Sequence, residues 1–383
     1  MASMPMPAPF SRDDLLGVLR PFAEATPLPR TAFVAPEVLD LEERAILATA
    51  WIPVAHEADL PRPGDWVRAP IRGEHLVVVR GADLGLAALH AVCTHRGTLL
   101  CDGESGHVED LCLRCPYHGF TYATDGALLE SPGAREEPPG LQRAAVDVRA
   151  GVVFVNLDPL AAPLDARGLS GPPWLSRAKL FPLARARRTD HEVGANWKIV
   201  AGNFQESHHF LSVHPGLEGR TPFSRSSSVV ESDAWLGGIM ELAEGFETVS
   251  ESGKRLGRPY VAAPEDRGRV HDALVFPLWL TSLQPDYLLT YRLAPLAVDR
   301  TLVVAEIHVH PGALARGVDL DDLATFWDRT NAEDRAICER QQRGLESRRA
   351  RLSGYAASED GLHAFERLVA SRCLAALPEE VPA

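Results

Sequence analysis

No run of apolar residues in this chain reaches the roughly 18 that a membrane-spanning helix needs. The N-terminal stretch MASMPMPAPFSRDD has no basic head leading into an apolar segment. The expectation is a cytoplasmic protein with no membrane partner. Positive charge is also short, since 39 Lys and Arg against 52 Asp and Glu leave a formal net charge of -13. Sequence-independent binding to nucleic acid or anionic lipid depends on Lys and Arg neutralising phosphates, so neither partner is expected. The one dense basic run, RARR at 185–188, reads as solvated surface. Six cysteines in 383 residues are too few for a disulfide scaffold. No strand, GxGxxG and helix follow one another, so the chain carries no dinucleotide-binding fold of its own.

What is present divides along the chain. Hydrophobic cores stop growing near about 250–300 residues, so 383 residues suggest two domains. The start, SRDDLLGVLRPFAEA, patterns as a helix with Ser11 as its cap. Between about Trp51 and Asp158, short β-branched or alternating runs such as HLVVVRG and AGVVFVNL are punctuated by Gly, Pro and Asp, the texture of a small all-β domain. The Pro/Gly-rich passage DPLAAPLDARGLSGPP marks its exit. Beyond it, strand-like segments mix with helical patterns around 196–213 and 318–352, which predicts an α+β domain. The division expected is a helical segment at 1–46 packing on the catalytic domain, an all-β domain at 47–160 and an α+β domain at 161–383.

Residues 93–120, CTHRGTLLCDGESGHVEDLCLRCPYHGF, concentrate four cysteines and three histidines. A zinc site could use the C-x2-C pair of Cys112 and Cys115. The quasi-repeat C-T-H-R-G and C-P-Y-H-G argues for another centre, because each half offers a thiolate, an imidazole and a glycine. Two thiolates and two imidazoles match a Rieske [2Fe-2S] cluster, with Cys93 and Cys115 on one iron and His95 and His118 on the other. Gly97 and Gly119 would let the backbone approach the cluster. Cys101, His107 and Cys112 are then spare, assigned to packing or surface, with a Cys101–Cys112 disulfide as the lesser alternative. Cys338 and Cys373 fall in helical patterns and read as core.

A second constellation lies in NWKIVAGNFQESHHFLSVHPGL, residues 196–217. E-x2-H-x4-H puts Glu206 and His209 on one helical face, with His214 just before Pro215, where the helix should end. Two histidines and a carboxylate make the facial triad of non-heme Fe(II) oxygenases. On the helix DDLATFWDRTNAEDRAICERQQRGLES, Trp327, Asn331, Asp334, Cys338, Gln341 and Leu345 share a face, which turns Asp334 inward. The alternative is a surface Asp334 paired with Arg335 or Arg343.

With these motifs in order, the chain resembles the catalytic α subunits of Rieske non-heme iron oxygenases. That family includes ring-hydroxylating dioxygenases and the choline, carnitine and betaine monooxygenases. The resemblance spans the Rieske motif, the NWK…H…H segment and EDRAICERQQRGLES. Thr98 and Tyr117 stand where respiratory Rieske proteins carry extra cysteines, so the cluster resembles the lower-potential oxygenase branch. The resemblance implies a helix-grip-like α+β catalytic domain with a central antiparallel sheet. It implies Cys93, His95, Cys115 and His118 as cluster ligands, and His209, His214 and Asp334 as iron ligands. Glu206 is implied as the acidic bridge between centres, with Asn203 beside it in the catalytic set. The bridge implies a homotrimer, in which the electron crosses from one subunit's cluster to its neighbour's iron. His208 stands where the family has an aromatic residue, and the H-x4-H spacing selects His209 over it.

The cofactors implied are the [2Fe-2S] cluster, mononuclear Fe(II), and NAD(P)H used indirectly through a flavin/iron-sulfur reductase, with or without a ferredoxin. The reaction implied is O2-dependent hydroxylation of a small molecule, with N-methyl or quaternary ammonium compounds favoured by the CERQQRGLES ending and the overall length. Aromatic ring hydroxylation or O-demethylation is the alternative, and a purely electron-transferring Rieske protein the third reading. A methylammonium substrate would want an aromatic cage, for which Trp235, Tyr260, Phe276, Trp279, Tyr287 and Tyr291 are available, with Glu241 or Glu244 adding charge.

Overall fold

Residues 10–71, 73–164, 171–178, 183–230 and 232–377 are described by the computed structural model. The first nine residues of the helical start, and 165–170 of the Pro/Gly-rich exit passage, lie outside them. The chain forms two compact units, one of Leu47–Arg167 and one of Met1–Ile46 with Gly168–Ala383.

The smaller unit is all β, as the alternating pattern predicts. Its strands are β1 (Ile52–His56), β2 (Asp65–Ile71), β3 (Glu74–Arg80), β4 (Leu86–His90), β5 (Ser105–His107), β6 (Cys112–Arg114), β7 (Thr121–Ala123), β8 (Leu128–Glu130), β9 (Arg143–Arg149) and β10 (Val152–Asn156). Seven of them form one sheet in the order β1-β10-β9-β4-β3-β2-β5, and β6-β7-β8 form a second. The β-branched runs supply the core: Val77, Val79, Leu89, Leu113, Phe120 and Tyr122 pack in one buried cluster that also contains Cys93 and Cys115. Both cysteines are thus fixed at the bases of their loops by the same apolar packing that stabilises the domain.

The larger unit begins with three short helices, α1 (Arg12–Val18), α2 (Thr31–Val34) and α3 (Pro36–Glu42). Ser11 caps α1 in a reciprocal box with Asp14. After α4 (Pro173–Arg177) come β11 (Ala184–Val193), α5 (Trp197–Asn203), α6 (Phe210–Val213) and α7 (Pro215–Glu218). Then follow β12 (Ser226–Val229), β13 (Trp235–Glu241), β14 (Arg269–Val275), β15 (Trp279–Leu283), β16 (Tyr287–Ala297) and β17 (Arg300–Val309). The chain closes with α8 (Pro311–Ala315), α9 (Asp321–Glu346) and α10 (Asp360–Ala376). The seven strands make one antiparallel sheet in the order β11-β17-β16-β15-β14-β13-β12. This is the antiparallel-sheet α+β unit that the pattern predicts.

Three local expectations are corrected. The basic run is an ion-paired edge strand, with Arg185 2.9 Å from Glu306 and Arg187 2.7 Å from Asp328. On α9, Gln342 is buried and Gln341 exposed. The 3.6-residue period carries the stripe from Cys338 to 342, where Gln342 accepts from the Asn196 N–H (3.0 Å) and donates to the Phe33 carbonyl (3.1 Å). The helix predicted over 196–213 is interrupted at 204–209. There the Glu206 carboxylate accepts the backbone N–H groups of His208 and His209, which replaces helical bonding.

NWK explains how α5 is held. Asn196 caps the Lys198 N–H at 3.0 Å. Trp197 donates its indole N–H to Glu42 at 2.8 Å, and Lys198 Nζ lies 2.6 Å from the other oxygen of Glu42. Glu42, Trp197 and Lys198 are all buried. Removing one member of a buried ion pair strands the other charge and costs about 3–5 kcal/mol. Glu42→Ala is therefore expected to lower the unfolding free energy of this unit, read from urea titration, by that much; an unchanged value would show that Lys198 finds water or another partner.

Candidate metal centres

Among the described residues, His209, His214 and Asp334 form a group whose ligand atoms all lie within 4.8 Å of one another. Three elements converge to make it. His209 ends the interrupted turn before α6, and His214 sits between α6 and α7, where Pro215 opens the next helix. Asp334 comes from the middle of α9. His214 Nε2 is 2.9 Å, and His209 Nε2 3.7 Å, from Asp334 Oδ1. Ligands at right angles around an octahedral ion with bonds of about 2.1 Å stand about 3 Å apart, so the set fits one divalent ion with small adjustment.

Each of these side chains has its own positioning partner. Glu206 Oε1 accepts from His209 Nδ1 at 2.6 Å, and Glu333 Oε2 from His214 Nδ1 at 2.7 Å. Both contacts place the proton on Nδ1 and leave Nε2 free to ligate. Asn203, at the end of α5, donates to Asp334 at 2.6 Å. Burial works to depress the His214 pKa, but Asp334 and Glu333 outweigh it and raise the pKa. The spot therefore favours positive charge, which is what a divalent cation supplies. Asp334 pairs with neither Arg335 nor Arg343 in the contacts described. His208 is exposed and stacks on Phe223 at 5.1 Å, away from the group. Sequence reasoning missed Glu333, for which the only signal was its place beside Asp334.

The group opens into a cavity of about 450 Å³ lined by segments of β12 to β16, α9 and the 203–228 region, within the range of small-ligand pockets. Of the six aromatic residues offered for a cage, only Tyr291 lines it; its other aromatic walls are Phe204, Phe210, Phe223 and Trp327. The other five of those six have the core or surface packing that aromatic residues more often take. Trp235 packs on Trp174, Phe276 on Phe365, and Tyr260 between Arg255 and Arg267. Trp279 is buried in β15 and Tyr287 hydrogen-bonds Trp327 and Val249. Glu241 and Glu244 do not line the cavity either.

In the all-β unit the quasi-repeat folds as two copies of one turn. The Cys93 N–H reaches the Thr98 carbonyl (2.8 Å) and the Gly97 N–H returns to Cys93 (2.9 Å). The Cys115 N–H reaches Phe120 (2.7 Å) and the Gly119 N–H returns to Cys115 (3.1 Å). Gly97 and Gly119 have φ of 74° and 75°, a backbone that a side chain would strain. The rings of His95 and His118 meet edge to face at 4.7 Å, and His95 stacks on Phe120 at 4.7 Å. Burial disfavours the Cys115 thiolate, but the N–H groups of Tyr117 and His118, with Cys93 and Thr98, outweigh it and lower the pKa. The thiols thus pair with each other and the imidazoles with each other. No three of the four gather as tightly as the group around Asp334 does. That spacing suits a two-iron group with a sulfur end and a nitrogen end better than a single zinc.

Cys101 and Cys112 are free thiols, so the disulfide alternative is not formed. Burial pushes Cys101 up to about 11. His107 bonds Asp65 at 2.7 Å, a tie between β5 and β2. Cys338 and Cys373 are buried, as read. Tyr122 was not foreseen: its hydroxyl lies 3.4 Å from Cys93 Sγ, 2.9 Å from Thr94 Oγ1, and accepts from the Thr94 N–H at 3.0 Å. Because Thr94 Oγ1 gives its own proton to the Pro139 carbonyl, it can only accept from Tyr122, so the phenol proton has two acceptors in reach, Thr94 Oγ1 and the Cys93 sulfur. Donors to sulfur stabilise the reduced, more negative cluster. Tyr122→Phe is expected to lower the reduction potential in a spectroelectrochemical titration without loss of cluster; an unchanged potential would assign the proton to Thr94.

Comparison with known proteins gives the following. Residues 50–148 match the Rieske [2Fe-2S] domain, and residues 182–375 match the ring hydroxylating alpha subunit (catalytic domain). The chain is 28% identical over 361 residues to the carnitine monooxygenase oxygenase subunit of Acinetobacter baumannii, covering 89% of this chain and 93% of that protein. It is 28% identical over 384 residues to the glycine betaine monooxygenase oxygenase subunit of Chromohalobacter salexigens, covering 89% and 84%. Its fold is similar to that of a quaternary ammonium Rieske monooxygenase whose structure was solved to explain carnitine oxidation by gut microbiota and inter-subunit electron transfer. The TM-score is 0.76 at 23% identity, over 95% of this chain and 98% of that one.

Proposed function

Because this chain belongs to the family of ring-hydroxylating oxygenase alpha subunits, we propose that it hydroxylates an N-methyl group of a small ammonium compound. It is a Rieske oxygenase, with a [2Fe-2S] cluster and a mononuclear iron as its cofactors. When bound, the cluster supplies single electrons and the mononuclear iron activates O2. The observation that carries the reading is the convergence of His209, His214 and Asp334 on one cavity of about 450 Å³. The relatives named for carnitine and glycine betaine support the substrate class.

The residues have separate duties. Cys93 and Cys115 would hold one iron of the cluster, and His95 and His118 the other. His209, His214 and Asp334 would hold the mononuclear iron. Glu333 and Glu206 keep the Nδ1 proton on His214 and His209, and Asn203 orients Asp334. The aromatic and aliphatic walls exclude water from the reacting methyl group. One oxygen atom enters the N-methyl C–H bond, and the other leaves as water with two electrons from NAD(P)H and two protons. The N-hydroxymethyl product then breaks its C–N bond, releasing formaldehyde and the demethylated amine.

Electrons would come from a separate reductase, with or without a ferredoxin. We assign residues 1–46 and 161–383 to the catalytic part and 47–160 to the cluster domain, a division that the two compact units support. We also assign a homotrimer, with Glu206 reaching His118 of the partner subunit; closed head-to-tail symmetry is what such pairing requires. Among the described residues no helix is long and apolar enough to cross a membrane.

The test is a single turnover of chemically reduced, iron-loaded protein with O2, offered methylammonium compounds and, separately, methoxylated or simple aromatics. Formaldehyde with a demethylated amine from the first pool is expected. Products from the aromatic pool alone would make this a ring-hydroxylating or O-demethylating enzyme.

A further inference from the structure

The cavity beside His209, His214 and Asp334 has a one-sided charge. Its acidic walls are Glu206, Asp272, Asp334 and Asp360, and no Lys or Arg lines it among the described residues. Three of these acids are engaged. Glu206 holds His209, Asp334 is held by Asn203, and the exposed Asp360 accepts from Ser228 at 2.8 Å. Asp272 is different. It lies on β14 opposite Gly238 of β13 and Ser282 of β15, and its Oδ1 is shut off from solvent without a hydrogen-bond partner. Burial pushes its carboxyl up to about 7, against the Ser282 hydroxyl donating to it.

A second orphan stands next to it. Gln284, 0% exposed, gives its amide N–H to Ser282 at 2.9 Å and leaves Oε1 unpartnered. Both residues line the cavity. Two sheltered acceptors without a donor are unfavourable unless something positive or N–H-bearing meets them. Space for it is kept by Gly238, where an added Cβ would touch nothing nearer than the Ser227 carbonyl at 3.9 Å and Asp272 at 4.0 Å. A carboxylate entering here would meet acids and no cationic anchor. An ammonium group would meet Asp272, with Tyr291 and Trp327 supplying aromatic surface.

Resting on the N-methyl reading of the site, we propose that Asp272 is its specificity-determining residue, the counter-charge that selects a methylated ammonium cation carrying no carboxylate of its own. Carnitine and glycine betaine each bear a carboxylate, so on this point the chain departs from the relatives named for them. Asp272 touches the cation, and Gln284 sets the position of Ser282 and leaves its Oε1 as a second negative dipole for the charge.

The experiment is isothermal titration of the metal-loaded wild-type enzyme under anaerobic conditions with choline and N,N-dimethylethanolamine as cations. Glycine betaine and carnitine serve as zwitterions and indole as a neutral aromatic probe. The cations are expected to bind roughly 10-fold or more tighter than the zwitterions, and Asp272→Asn to lose that margin, the scale of removing one charge partner in a sheltered site. Asp272→Glu should recover part of it, and indole binding and iron content should not change in either variant. Zwitterions binding as tightly as cations to the wild-type enzyme would overturn the inference and leave the N-methyl reading intact. So would cation binding to Asp272→Asn at wild-type strength. Indole binding with no ammonium compound bound would overturn the N-methyl reading itself, and this inference with it.

Discussion

Asp334→Ala is expected to abolish product formation while leaving the visible spectrum of the cluster unchanged. The carboxylate is the only anionic member of the group with His209 and His214, and it supplies the charge that makes a divalent ion welcome between two neutral imidazoles. Outer partners of a metal site typically contribute 10- to 100-fold in affinity, so loss of a direct ligand should reduce mononuclear iron affinity by more than about 100-fold. Without it His214 also loses one of the two carboxylates that raise its pKa, which weakens the electrostatic preference for a cation. Iron and sulfide analysis reads the result directly: wild type should hold about three irons per two sulfides, and the variant about two. A variant that keeps its third iron and its turnover would remove Asp334 from the ligand set.

The contrast between the two centres explains why the sequence reveals one more fully than the other. The cluster loops are local. Cysteine, histidine and glycine recur within five residues, and the hydrogen bonds that repeat between them, Gly97 to Cys93 and Gly119 to Cys115, also span only five. The spacing therefore carries nearly all the geometry. The mononuclear group instead joins residues 120 or more positions apart. His214 and Asp334 could be proposed from spacing, helix periodicity and family resemblance. Glu333 could not, because its role follows from how α6 and α9 meet, a tertiary fact.

The same distinction explains the errors. Periodicity places Asp334 on the inner face of α9, yet a period rounded to 3.5 selects Gln341 where the true helix buries Gln342. Alternation shows that β13 to β16 have two faces but not which of them is hollow. Trp279 and Ser282 differ by an odd number of residues on β15, and it is Ser282 that lines the cavity. Aromatic residues look like a cage in sequence because they are bulky and interactive, and for that same reason most of them are spent on the core. Asp272 gave the opposite signal. An acid in RVHDALV, an interior strand of the sheet, is a residue whose burial needs an explanation.

Glu206→Gln separates two duties of one carboxylate. The glutamine carbonyl can still accept from His209 Nδ1, which Glu206 now holds at 2.6 Å, so the ring should stay aimed and iron should be largely retained. The negative charge disappears, and the amide nitrogen can no longer accept the His208 and His209 backbone N–H groups that the second carboxylate oxygen now takes. If Glu206 also bonds His118 of the partner subunit, cluster reduction makes that imidazole more basic and strengthens its bond to a carboxylate, coupling proton and electron movement; an amide cannot do this. Turnover is then expected to fall roughly 100-fold, the upper end for outer partners of a metal site, and reoxidation of the reduced cluster by substrate and O2 should slow in parallel. Stopped-flow absorbance of the cluster, with iron content measured on the same samples, distinguishes the outcomes. Slow reoxidation at normal iron content supports the bridge, and loss of iron at unchanged cluster content would restrict Glu206 to orienting His209. Normal reoxidation and product formation would refute the bridge, and the trimeric electron path would then need another connection.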